Sequence, residues 1–131
     1  MKSDKKYLYN WKEDWNRTKD FFKAAETNFK LDDFKTTANR AYFTAESAII
    51  AALKFNLKPV SKNHKNIWAL SNLLGLEINT YDLLRDLYDR GLQADYGYVS
   101  DIIVINKDNT NKYLSRVRDL LKEIGYKYKL E

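Results

Sequence analysis

The sequence predicts an all-α protein, an antiparallel bundle of four to five helices. Three observations predict it. Apolar residues recur at steps of three and four along most of the 131 residues, the period of helices with one buried face. Gly (four) and Pro (one) are scarce, so the turns that a β-sandwich or barrel needs are missing. The connections between periodic segments are short, which makes sequential helices antiparallel neighbours. The length suits a single core, and we read residues 1–131 as one domain.

The first helix is expected from about Tyr7 to Lys30. Leu8, Trp11, Trp15, Phe22, Ala25 and Phe29 share one face, with Thr18 filling the polar gap. Ser3 or Asp4 is its candidate cap. Asp32 or Asp33 caps the second helix, from about Phe34 to Asn56. There Ala38, Ala41, Ala45, Ala48 and Ala52 form a stripe of small residues, flanked by Tyr42, Ile49 and Leu53. Small residues let a neighbouring helix approach closely, so this helix is expected to be the most buried. Pro59 breaks the chain, and Ser61 is expected to cap a third helix from Lys62 to Leu74, ended by Gly75. Ile67, Leu70 and Leu74 form its inner face. Asn79 or Thr80 caps the fourth helix, with Tyr81, Leu84, Leu87 and Tyr88 inward. Residues 98–105 are β-branched but lack a partner strand, so they read as an extended loop with an apolar anchor. Asp108 or Thr110 caps the fifth helix, with Tyr113, Val117, Leu120, Leu121 and Ile124 inward. The tail from Tyr126 reads as a fraying helix end.

Composition removes several classes of chemistry. Without Cys there is no disulfide, zinc ribbon, iron–sulfur cluster or cysteine nucleophile. A single His leaves no His-rich metal site within one chain, and no cofactor is expected. No Gly-rich phosphate loop is present. No apolar run approaches the roughly 18 residues that span a bilayer. The N-terminus lacks the apolar stretch of a signal peptide, and the expected location is the cytoplasm.

Net charge is +5. Between Glu46 and Glu77 every ionisable residue is basic: Lys54, Lys58, Lys62 and Lys65, with His64 among them. The C-terminal segment adds Lys112, Arg116, Arg118, Lys122, Lys127 and Lys129. Such patches concentrate anions, whereas a solvated lysine surface has the same composition. Ser61-Lys62-Asn63-His64-Lys65 opens the third helix, where free N–H groups with Lys62 and Lys65 would receive a phosphate; an ordinary capping turn is the alternative. Arg90 and Asp95 lie about one turn apart at the end of the fourth helix, followed by Tyr96, and face one groove or pair with each other. Arg40 sits inside the alanine-lined helix and needs a partner: Asp95, Glu46 or a carboxylate of another subunit. The acid pairs Glu13-Asp14 and Asp32-Asp33 read as caps and solvated faces.

Taken in order, three blocks resemble the HEPN domain superfamily, particularly its small stand-alone members. Ala38-Asn39-Arg40-Ala41-Tyr42-Phe43 is similar to the family's A-x-R-A-Y-Y on helix two. Ser61-Lys62-Asn63-His64-Lys65 is similar to its S-H-K turn, and Arg90 with Ala94-Asp95-Tyr96-Gly97 to its R…A-D-Y-G ending of helix four. The resemblance covers roughly residues 7–125. It implies a bundle that often forms homodimers, with helix four near a shared cleft. Many relatives are metal-independent RNases, commonly toxins; others bind nucleotides or RNA, or pair with a small nucleotidyltransferase. The RNase signature is an Arg and, after a short spacer, a His. Arg90 fills the Arg position, but Asp95, Tyr96 and Gly97 occupy the His slot. In paired toxins the partner enzyme modifies a Tyr just beyond that His; here the slot falls on Gly97, with Tyr98 as the adjacent candidate.

The expectation is therefore a nucleic-acid- or nucleotide-binding component of a two-component system. Arg90, Asp95 and His64 are its candidate catalytic groups, and Arg40, Lys62, Lys65 and Tyr96 its phosphate- or RNA-binding groups. One alternative is a metal-independent RNase toxin that uses Arg90 as the cation, with His64 or Asp95 for proton transfer. The other is a structural bundle without ligand.

Overall fold

The computed structural model describes residues 10–95 and 105–130. Helix α1 spans Trp11–Lys30, α2 Phe34–Phe55, α3 His64–Leu70, α4 Thr80–Asp95 and α5 Lys107–Tyr128, with a 3₁₀ turn at Ser71–Leu74. No strand occurs among the described residues, so the fold is the all-α bundle that the periodicity predicts. None of these helices is long and apolar enough to cross a membrane. The expected Ser3 or Asp4 cap and residues 98–104 of the expected loop lie outside the described residues.

Side-chain pairs give the helix directions. Between α1 and α2, Trp11 meets Phe55, Asp14 meets Lys54, Thr18 meets Ser47 and Phe21 meets Phe43. One index rises as the other falls, which is antiparallel packing. Likewise Asp86 of α4 meets Arg116 of α5, and Arg90 meets Tyr113. Helix α2 lies at the centre, against α1, α4 and α5. Its alanine stripe is wholly buried, as are Tyr42, Ile49 and Leu53. Small side chains on that face admit three neighbouring helices at close range.

The helix starts differ from expectation in three places, the first being α1, which begins at Trp11 after Asn10 rather than near Tyr7. The cap of α3 is Asn63, whose side chain accepts from Asn66 N–H. Ser61 stands before the helix and accepts from Asn63 N–H at 3.1 Å. The third helix therefore starts at His64 rather than Lys62, and its last turn tightens to 3₁₀ before Gly75 at φ +59°. The cap of α5 is Asn106, accepting from Asn109 N–H, rather than Asp108 or Thr110. In both cases an Asn near the expected residue, two positions after Ser61 in α3 and two before Asp108 in α5, accepts from the N3 amide. The other starts follow the sequence: Asp33 accepts from Thr36 N–H, and Asn79 accepts from Asp82 N–H.

Two further expectations are corrected. The C-terminal tail does not fray. Helix α5 continues through Tyr128, Lys129 turns left-handed at φ 55°, and Leu130 is buried with its N–H on Gly125 O. Asp14 is not a solvated helix-start carboxylate, and Lys54 is not a surface lysine. Both are 6% exposed, and they pair at 2.6 Å across α1 and α2. Breaking such a pair on one side strands a charge in the interior, at a cost of about 3–5 kcal/mol.

Candidate functional site

Helix α2 carries Tyr42 and Glu46 one turn apart, so both side chains leave the same face toward the start of α3. His64 is the first residue of α3, and Trp68 stands one turn behind it. These four side chains meet. The Trp68 indole N–H donates to the Tyr42 hydroxyl oxygen at 3.1 Å. The Tyr42 hydroxyl in turn donates to a carboxylate oxygen of Glu46. The same oxygen, Oε2, lies 2.6 Å from His64 Nδ1. Burial pushes the Tyr42 hydroxyl far above the ordinary tyrosine range, and its bond to the carboxylate pushes it further. It is thus a proton donor held in the interior. The ring of Tyr88 on α4 closes the cluster, 5.4 Å from His64 and 5.2 Å from Trp68 between centroids.

The outer limb of this cluster is the imidazole. The His64 side chain is 40% exposed, against 12% for Glu46. Lys62 and Lys65 flank it, both exposed and without an ion pair among the described residues. On its other side Glu46 forms part of the wall of a cavity of about 420 Å³ between α1, α2 and the α2–α3 connection. Asp14, Arg17, Lys54 and Lys62 also line that cavity, so its charges are mixed rather than uniformly basic.

Arg90 is held elsewhere. Its guanidinium lies over the Tyr113 ring of α5, 4.9 Å from the centroid. The stack is a cation–π contact at a half-buried position. Burial raises the Tyr113 hydroxyl above its ordinary value, and the nearby Arg90 cation acts against that. Tyr88 and Arg90 are two residues apart, which turns them about 200° on a helix. Tyr88 faces His64, and Arg90 faces α5. Within one chain the imidazole and the guanidinium therefore lie on different sides of α4.

Arg40 does not pair with Glu46: the two stand six residues apart on α2, about 240° around the helix, and Glu46 meets His64 and Tyr42 instead. Its guanidinium instead donates to the Asn39 side chain at 3.4 Å, and the residue remains half-exposed. The side chain of Asp95, together with Tyr96 and Tyr98, lies outside what the structure describes. No cluster of metal-ligating side chains occurs among the described residues.

The residues that reasoning from the sequence missed are Glu46, Tyr42 and Trp68 as partners of His64. Part of the signal was legible. Tyr42 and Glu46 stand at i and i+4, as do His64 and Trp68. What pairs the two couples is the docking of α3 on α2, which no spacing encodes.

The chain matches the family model described as the HEPN domain over residues 12–127. No curated protein and no solved structure matches it. The match runs from the start of α1 to the end of α5 and takes in the Arg40, His64 and Arg90 blocks. The chain therefore belongs to the HEPN domain family, which connects it in general terms to nucleotide- and RNA-related function.

Proposed function

We propose that this domain binds RNA or nucleotide as one component of a two-component system of the toxin–antitoxin or defence type. It acts in the cytoplasm as a homodimer, and a nucleotidyltransferase is its protein partner. Arg90, Arg40, His64, Lys62 and Lys65 contact the phosphates or the sugar, with Tyr96 beside them and Tyr98 as a position open to modification.

The observation that supports this reading is the exposed pair Lys62 and Lys65 beside the outward His64 imidazole on a HEPN-family domain, while Arg90 is separated from His64 across α4. Metal-free phosphodiester cleavage needs a cation on the phosphorus oxygens and proton-transfer groups around one phosphate. One chain does not assemble these from Arg90 and His64, while each group alone suits binding. The test is affinity for a labelled single-stranded RNA and for ATP, measured against salt. We expect binding that weakens steeply as salt rises, and a loss of at least fivefold on Arg90→Ala. Absence of binding to both probes at low salt overturns the proposal.

A second reading, metal-independent RNA cleavage through Arg90 with His64 or Asp95, is favoured by one feature. A carboxylate grips the imidazole through Nδ1, as proton-transfer histidines are commonly held. Cleavage of labelled RNA in the presence of chelator, abolished by Arg90→Ala, is its signature.

A further inference from the structure

The hydrogen inventory of the buried cluster fixes something that distances alone do not state. Trp68 has one N–H and gives it to Tyr42. Tyr42 has one O–H and gives it to Glu46. Glu46 Oε2, as a carboxylate oxygen, only accepts. The 2.6 Å contact from His64 Nδ1 to that oxygen therefore requires the hydrogen to sit on Nδ1. The 3.1 Å approach of Tyr42 O to the same Nδ1 is then a neighbour contact, since both groups direct their hydrogens at Glu46. In the neutral ring this leaves Nε2 as a bare lone pair. No described residue occupies it, and the ring is the exposed limb of the cluster.

We propose that Glu46 is a positioning residue that locks His64 in the Nδ1–H form, and that the outward Nε2 accepts a hydrogen bond from a ribose 2′-hydroxyl. The inference rests on the reading that the domain binds RNA or nucleotide. Its chemistry follows from the neighbours. Lys62 and Lys65 flank the imidazole and attract phosphates. A bare lone pair repels a phosphate oxygen and demands a donor. At an internal position of a strand the sugar–phosphate backbone has one hydroxyl donor, the 2′-hydroxyl, and DNA lacks it. The locked imidazole thus reads RNA against DNA while the lysines hold either. Among the described residues the other titratable groups around the ring are Glu46 and Tyr42 of α2 and Tyr88 of α4.

His64 is the single histidine of the chain, so nitrogen-15 spectra of the imidazole report on it alone. At a pH where those spectra show the neutral ring, we expect the hydrogen on Nδ1. Glu46→Gln keeps an acceptor oxygen and preserves that form, whereas Glu46→Met releases it. In binding, we expect the wild type to prefer an RNA over a DNA of the same sequence by about five- to tenfold, the worth of one such hydrogen bond. His64→Phe should equalise the two at the DNA value. A wild-type hydrogen on Nε2, or a preference that survives His64→Phe, overturns the inference. Glu46→Met is dispensable if it does not fold, because the wild-type spectrum and His64→Phe decide by themselves. Failure to bind either nucleic acid at low salt would instead overturn the reading on which the inference rests.

Discussion

Helix α2 carries two acid–base pairs to its neighbours, and they differ in one respect. Lys54 meets Asp14 with both side chains buried at the wall of the α1–α2 cavity. Glu46 meets His64 at the same distance, but the imidazole remains 40% exposed. A pair with both limbs buried presents little to a ligand and acts chiefly on stability. With one limb exposed, the buried partner sets the orientation and the outer one meets a ligand. The difference between a structural and a functional pair on this helix is thus the accessibility of one group, not the strength of the contact.

The largest effect should come from opening the buried pair on one side. Asp14→Ala leaves the Lys54 ammonium buried without its carboxylate and should cost about 3–5 kcal/mol by denaturant unfolding. Replacing both, as Asp14→Leu with Lys54→Met, should restore much of that loss. A single substitution with no measurable cost would erase the contrast between the two pairs.

Tyr42, which links the exposed pair to the core, should come next. Tyr42→Phe leaves the Trp68 N–H and one Glu46 bond unsatisfied and should cost about 1–3 kcal/mol. The same residue governs alkaline behaviour. Its folded-state titration lies above the ordinary tyrosine value of 10.0, because burial and Glu46 disfavour the phenolate. Unfolded chains ionise near that value while the folded chain keeps its proton. Stability is therefore intact below about pH 10 and declines as pH rises beyond it. Denaturant midpoints measured across that range should show a shallower decline in Tyr42→Phe; an identical decline would detach Tyr42 from the effect.

The smallest effect on stability is expected at Arg90. Its stack on Tyr113 is half-exposed and contributes about 0.5–1 kcal/mol. Arg90→Ala should therefore unfold close to the wild type while losing RNA affinity. A larger loss of stability would make Arg90 a structural residue, like the Asp14–Lys54 pair.

Much of the fold was legible in the sequence, and the reason is local. A helix repeats every 3.6 residues, so Trp15, Thr18 and Ala25 of α1 and the alanines of α2 announce their buried faces by spacing alone. Caps depend on a side chain reaching an amide three residues on, so they too were readable, although Asn63 and Asn106 took the role from their neighbours. The family followed from three short blocks in order, and the match over residues 12–127 bears it out. The candidate site was legible only as a set of residues. Nothing in the spacing of Asp14 and Lys54 says that two charges lie opposite each other in the interior. Nor does it say that Glu46 prefers His64 to Arg40.

The sequence by itself determined where the helices lie, which faces they bury and to which family the chain belongs, because each of these is written in intervals of a few residues. The tertiary structure alone decided that His64 hangs from Glu46 while Arg90 rests on Tyr113 across α4. Those choices depend on the rotation and register of packed helices. They are set by the fit of whole faces, which no local interval records.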